Sequence, residues 1–518
     1  MSATNTHDLV DVVICGAGPN GLMLAGELAL GGVRPLVLDA LPELSNESRA
    51  SAVMGQVVRF LDMRGLYPDL AGEPGPPKPV PSYIFSGLPL HLAELPANPM
   101  FGIAIPQPEL ARQLLDRAQR LGARVRWGHR VVDLARHEDR VRLTISGPRG
   151  DYRLDARFLV GADGGTSTVR KLAGIGFPGH TSTAVTRLGH VSLPDRLRVD
   201  GGLEVPGAGH FAFGHNRLER GMFVYSPLEP GRPVLAVQEF DAPSATDEPM
   251  TLDELRAALR RVLGVDLPID PPTGPGPHAL RRITGQNTRQ AERYREGPIL
   301  LIGDAAHVYA GIGAPGLNLG LQDAANLGWK LAGQLAGWAP TGLLDTYHAE
   351  RHPVGERVAM STLAQTALML PGPEIGSLRR VFGELFQTPQ TVQQIADLMA
   401  GTDIRYGTEH GHSLSGLMVP EATISTGGRT LRVAELLRGA RPVLLDLTGE
   451  HRPGAALDGW SDRLDVVSGA SSDLPGAAAV LVRPDGYVAW ATDDAAEIEL
   501  GLPDALAEWF GAPKVLAG

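Results

Sequence analysis

Gly16-Ala17-Gly18-Pro19-Asn20-Gly21 stands between an apolar run and a segment of helical period, and Asp39 closes the next apolar run. Glycines and a terminal acid in that order are the fingerprint of a dinucleotide site. Each residue type has a physical task. Gly16 permits a tight turn, Gly18 lets the backbone approach a pyrophosphate, and Gly21 lets helix and sheet pack closely. The helix entered through Pro19 and Asn20 turns its positive end toward the phosphates, and Asp39 accepts hydrogen bonds from a ribose. This element alone does not separate a flavin from a nicotinamide dinucleotide.

Two later stretches bear on that choice. In Gly161-Ala162-Asp163-Gly164-Gly165-Thr166-Ser167-Thr168-Val169-Arg170 an acid follows an apolar strand and glycines open a helix, although alone this could equally be an ordinary turn. Gly303-Asp304-Ala305-Ala306-His307 ends the apolar run Pro298 to Ile302, where Asp304 can bond a ribityl hydroxyl. Together the three stretches point to one FAD. His307 lacks a second His, Asp or Glu at ligand spacing, so no metal is expected and a structural or phosphate-side role is favoured. Gly311-Ile312-Gly313-Ala314-Pro315-Gly316 is a second GxGxxG, but no βαβ unit follows it and Asp323 is too close to be a ribose acid. No dedicated nicotinamide domain is visible.

The elements that must position these residues follow from periodicity. Val10 to Asp39 reads as a βαβ unit. Gly72 to Pro81 is a Pro/Gly-rich loop, and Gln107 to Leu121 resumes a helix. Short alternating segments from His180 to Phe240 form an antiparallel meander, in which Phe211, Phe213, Phe223 and Tyr225 fit sheet core better than a substrate pocket. The parallel-sheet signal returns at Pro298 to Asp304, followed by a long helix from near Leu317. After residue 400 come strands Pro442 to Asp446, Ala477 to Val482 and Tyr487 to Trp490 around a Pro484-Asp485-Gly486 turn.

The fold class is therefore α/β, with a Rossmann-like domain over residues 1–75, 100–178 and 285–395, an inserted antiparallel-sheet domain over 76–99 and 179–284, and a C-terminal α/β domain over 400–518. A chain of 518 residues fits two or three such domains. With 47 basic and 58 acidic residues, net charge -11, and no basic tract, nucleic acid is excluded as an expected partner. The single cysteine, Cys15, precludes a disulfide or a CxxC pair within the chain and fits a cytoplasmic setting. Leu9 to Leu30 contains Asp11 and Glu27 and lacks a basic lead-in, so it is not read as a signal peptide, and no other apolar run suggests a membrane partner.

The opening GAGPNG, the GADGGTSTVR stretch, the GDAAH stretch and the tail LNLGLQDAANLGWKLAG, in this order, resemble the class A flavoprotein monooxygenases, the para-hydroxybenzoate hydroxylase-like family, and within it the aromatic polyketide hydroxylases. The resemblance spans nearly the whole chain. It implies that Arg49 reaches the FAD phosphate and ribose region, that Gln107 lies beside the ribityl chain, and that Val131 contacts adenine through its backbone. It further implies that Asp163 serves flavin and nicotinamide, that Asp304 takes the ribityl chain, and that Pro315, Gly316, Leu317 and Asn318 bring a helix N-terminus to the flavin pyrimidine edge. That edge has independent physics, because the positive end of a helix stabilises reduced flavin.

The family's chemistry is hydride transfer from NADPH or NADH, bound transiently, to tightly held FAD, then delivery of one oxygen atom of O2 to a phenolic ring. No catalytic acid or base is assigned, since the cofactor carries the chemistry. Where the family's loop reads Pro-Pro then Gly-Gly-Gln-Gly, this chain has Ala310-Gly311 and Gly313-Ala314-Pro315-Gly316. That departure keeps Baeyer-Villiger or oxidative-rearrangement chemistry open beside hydroxylation. A non-catalytic binding protein on the same fold is a further alternative, against which Gly303-Asp304 argues. The C-terminal region looks like the family's thioredoxin-like appendage, without thiol chemistry and with a structural or homodimer role.

Overall fold

The computed structural model describes residues 9–47, 49–229, 231–240, 248–274, 276, 278–312, 315–407, 411–449, 457 and 459–514. Strand Leu9–Cys15 lies between Leu36–Asp39 and Gly150–Gly161; Arg124–Trp127 pairs beyond the former and Ile299–Leu301 beyond the latter, every pairing parallel. Val12 to Ile14 and Leu300 to Leu301 are fully buried, as strands covered on both faces must be. Cys15 is level with Leu38 and Gly161, and Gly161 with Leu301. These strands therefore end at one edge, and the turns carrying Gly16, Asp39, Asp163 and Asp304 all issue from it.

Helix Pro19–Leu30 packs against the long helix Pro315–Ala336, which starts two residues earlier than Leu317. Small residues make their approach close: a Cβ on Gly320 would sit 2.2 Å from Asn20 Nδ2, and one on Gly328 2.5 Å from Glu27 Cβ. Helix Thr346–Leu368 lies beside the long helix.

The inserted sheet runs in the order Gly214–Leu218, Gly221–Ser226, Val234–Glu239, Val185–His190, Leu280–Ile283, all antiparallel. One face packs on helix Leu252–Leu263, placing Phe211, Phe223 and Tyr225 in a core with Leu255, Leu259 and Val262. Those aromatics fill the sheet core as expected, while Phe213 departs from it and is 42% exposed.

The C-terminal sheet runs Asp465–Ser468, Val443–Asp446, Ala479–Val482, Val488–Thr492, its first pair parallel and the others antiparallel, with helix Glu497–Phe510 packed on it. It is locked to the rest of the molecule by buried charges. Arg64 donates to Glu27 and to the carbonyls of Leu437 and Pro484. Arg483 donates to Glu350 on helix Thr346–Leu368 at 2.7 and 2.9 Å, and is flanked by Trp329 and Trp509. Among the described residues no helix is long and apolar enough to cross a membrane, and no group of three or more His, Cys, Asp or Glu could hold a metal ion.

Candidate functional site

A cavity of about 560 Å³ opens along the carboxyl edge of the parallel sheet, where ligands of open α/β sheets bind. Gly16, Gly18, Pro19, Asn20, Asp39, Arg49, Gln107, Val131, Asp163, Asp304, Pro315, Gly316 and Leu317 line it, whereas Gly21 and Asn318 do not. Gly21 works behind the turn, where a Cβ would sit 2.0 Å from the Gly16 carbonyl oxygen. Asn318 lies one residue past the rim, its Oδ1 accepting the Met54 N–H at 3.1 Å.

The glycine turn is built as its residue types require. Gly16 has φ +110°, and a Cβ there would meet the Ala162 oxygen at 2.2 Å. Gly18 is different: a Cβ there would meet nothing within 4 Å, so the missing side chain leaves open space in front of the helix N-terminus. Asn20 packs its amide against Gly303 and Gly320, joining the first motif to the last.

The three acids differ in what they hold. Asp39 accepts the N–H groups of Ala17 at 2.7 Å and Leu41 at 2.8 Å, so it tethers the glycine turn besides facing the cavity. Asp163 caps the short helix Thr168–Leu172, accepting from Thr168 and Val169 at 2.7 and 3.1 Å and from the Ser167 hydroxyl. Asp304 sits in the 3-10 turn Gly303–Ala305 just beyond the strand. Its carboxylate is open to the cavity yet set deep in protein, and that burial raises its pKa. A Cβ on Gly316 would come 3.7 Å from Asp304 Oδ1, so the acid faces the first turn of Pro315–Ala336. Gly313 and Ala314 lie outside the described residues.

At the mouth, Arg49 is exposed and paired with Glu47 at 2.8 Å; that hydrogen bond holds the Glu47 carboxyl below the usual range. Gln107 begins helix Gln107–Arg120, its N–H bonded to the Ala50 carbonyl at 2.8 Å. Val131 is buried in strand Arg130–Arg136.

Sequence reasoning missed Glu47, His129 and Tyr309 in the lining. Glu47 had a signal, an acid two residues from Arg49. It also missed the partner of His307, whose Nε2 is 2.6 Å from Asp323 Oδ2, both fully buried. Asp323 also takes Arg351 Nε at 2.9 Å and the Gly303 N–H at 3.1 Å. Burial works to raise the Asp323 pKa, but His307 and Arg351 outweigh it and hold the group ionised. The structural role expected of His307 fits this cluster.

Residues 9–362 match the family described as FAD binding domain, and residues 412–513 the one described as aromatic-ring hydroxylase, C-terminal. The chain belongs to the FAD-dependent aromatic-ring hydroxylases, the class A flavoprotein monooxygenases, and is an FAD-dependent monooxygenase. It is 40% identical over 514 residues, covering 98% of this chain and 99% of the relative, to the 12-dehydrotetracycline 5-monooxygenase/anhydrotetracycline 6-monooxygenase of Streptomyces rimosus. It is also 36% identical to the dialkyldecalin synthase of Streptomyces rugosporus, covering 96% and 98% of the two chains. Among solved structures, anhydrotetracycline hydroxylase from Streptomyces rimosus matches with a TM-score of 0.86 at 38% identity, covering 97% and 99%.

The residues present fit FAD. Asp39 and Asp304 issue from strands three spacings apart, about 14 Å at ~4.8 Å per spacing, with the open face of Gly18 between them. That spread suits an extended dinucleotide with a ribose at one end and a ribityl chain at the other.

Proposed function

We propose that the chain hydroxylates an aromatic polyketide or other polycyclic phenol in bacterial secondary metabolism, using NADPH or NADH as a transient reductant and O2 as co-substrate. The observation that carries this reading is the gathering of three separated motifs on one cavity, in a chain alike over its whole length to a tetracycline-pathway monooxygenase. FAD, when bound, supplies the redox chemistry. The protein binds and orients. Asp39 would take the adenosine ribose, Gly16, Gly18 and Asn20 would bring backbone N–H groups to the pyrophosphate at the helix end that Pro19 opens, and Arg49 would add charge there. Gln107 and Asp304 bracket the ribityl chain, Val131 meets adenine, Asp163 braces the turn beside the flavin, and Pro315 to Asn318 present a positive helix end to the pyrimidine edge.

The test is consumption of NADPH and O2 by the purified holoenzyme with a panel of phenolic polyketides. One equivalent of each per hydroxylated product supports the reading, and protein that fails to retain FAD overturns it. The dialkyldecalin synthase relative favours one second reading, ring formation without net oxidation; product formed with neither NADPH nor O2 consumed would establish that instead.

The two glycines separate fold from binding. Gly18→Ala is expected to leave apoprotein stability within about 1 kcal/mol, since its backbone angles, φ -72° and ψ 173°, suit alanine, while FAD affinity drops at least about tenfold through lost pyrophosphate approach. Gly16→Ala meets both a left-handed φ and a backbone clash, and is expected to cost about 2–4 kcal/mol in the apoprotein. Urea unfolding and FAD titration by flavin fluorescence read the two effects apart.

A further inference from the structure

The C-terminal part of helix Thr346–Leu368 is patterned the wrong way round for a helix at the surface. Such a helix turns apolar side chains inward and polar ones to water. Here the buried face carries Ser361, Thr362 and Gln365. The outward face carries Met360, Leu363, Ala364 and Ala367 instead, with Met360 53% and Leu363 40% exposed. Steps of three, four and seven residues put these four on one stripe. The polar side chains are committed to the interior: Gln365 Nε2 donates to Ser361 Oγ at 3.3 Å, and the Gln365 carbonyl accepts the Ser86 hydroxyl at 3.1 Å. The apolar stripe is what the helix offers outward.

Nothing among the described residues covers it. The following helix, Pro373–Leu385, packs beside it, has no buried residue, and leaves Leu378, Val381 and Leu385 exposed as well. Apolar surface gathered in this way marks an interaction site, and the order of side-chain sizes along the stripe says which occupant fits. A second copy of the helix can lie antiparallel across the first with a two-fold axis between Leu363 and Ala364. Met360 then stands opposite the partner's Ala367, and Leu363 opposite the partner's Ala364; the axis repeats each pair in reverse. Every large side chain meets a small one, so the helix axes can close to about 8 Å. A parallel pairing in register sets Met360 and Leu363 against their own counterparts, large against large. A lipid surface calls for basic residues beside the apolar stripe, whereas this one begins beside Glu356, and Arg357 is held by Asp403. Two turns of helix fall short of the ~800 Å² per partner of a standard interface; Leu378, Val381 and Leu385 supply further apolar surface on the neighbouring helix.

We propose that the outward face of helix Thr346–Leu368 is the docking surface for a second copy of this chain, paired antiparallel about a two-fold axis between Leu363 and Ala364. None of these residues lines the FAD cavity, so the pairing stands whichever substrate the enzyme takes.

Sedimentation equilibrium of the holoenzyme at about 50 μM, where a complex of micromolar Kd is largely formed, is expected to give twice the chain's 54.9 kDa. Leu363→Glu should leave a monomer. Ala364→Met tests the register. It adds apolar surface, which would strengthen indiscriminate association, but across the two-fold it meets the partner's Leu363 and should weaken the dimer at least about tenfold. Exchanging the pair, Leu363→Ala with Ala364→Leu, again sets large against small and should recover the dimer. A monomeric wild type overturns the proposal, as does a Leu363→Glu or Ala364→Met protein that dimerises like the wild type, or an exchange variant that stays monomeric. Flavin content is measured on every sample; where a variant loses it, the wild-type mass and the remaining variants decide.

Discussion

Replacing Glu350 with alanine is expected to destabilise the protein by about 3–5 kcal/mol, because it leaves buried cations without their carboxylate. Glu350 receives Lys330 at 2.7 Å, Asn326 at 2.6 Å and both terminal nitrogens of Arg483. Burial alone would raise its pKa; Arg483 first and Lys330 second hold it far below the usual range. Lys330→Met makes the instructive contrast. Arg483 still pairs Glu350, and burial outweighs Glu350 in setting the Lys330 pKa, bringing it down to about 8, so its loss is expected to change stability by no more than about 1 kcal/mol. The sign with pH follows. Between about 8 and the ordinary 10.5 the unfolded chain binds the Lys330 proton and the folded protein does not, so stability rises with pH across that window. The rise should be absent in Lys330→Met. Urea unfolding midpoints of the three proteins across pH 7 to 11 check both statements, and a Glu350→Ala protein as stable as the wild type would refute the cluster's role in holding the C-terminal sheet.

That cluster also marks what the sequence could not disclose. The turn Pro484-Asp485-Gly486 was legible as a turn, since its residue types prescribe backbone geometry. Nothing local tells that Arg483 beside it reaches Glu350, because the pairing is made by docking of two domains. The cavity motifs were legible for the opposite reason. Gly16, Asp39, Asp163 and Asp304 each sit where a strand ends, and parallel strands in register bring such ends to one edge whatever the tertiary detail. The inserted sheet falls between these cases. Its strands were readable, but covering on both faces blunts the alternation that would say which residues look at the cavity. Phe223 and Val224 are neighbours of similar character, and only the structure shows that the former faces helix Leu252–Leu263 and the latter Ile312.

Asp323→Ala is expected to cost about 3–5 kcal/mol by the same rule of buried charge, and also to weaken FAD binding at least about tenfold. The second effect follows from where Asp323 points. Its Oδ2 accepts both His307 Nε2 and the Gly303 N–H, so one oxygen fixes the turn that carries Asp304 onto the cavity floor. Its Oδ1 holds Arg351, which also donates to the Tyr406 hydroxyl at 2.8 Å and the Leu319 carbonyl at 3.2 Å. The long helix, the Asp304 turn and the segment leading to the C-terminal sheet thus share one carboxylate. Asp323→Asn keeps the shape and one acceptor oxygen while losing the charge opposite Arg351, so a folded protein with intermediate FAD affinity is expected. Flavin-fluorescence titration of both variants, with urea unfolding alongside, decides between positioning and bulk stability: a destabilised Asp323→Asn protein that binds FAD like the wild type would show that Asp323 supports the core without setting the Asp304 turn.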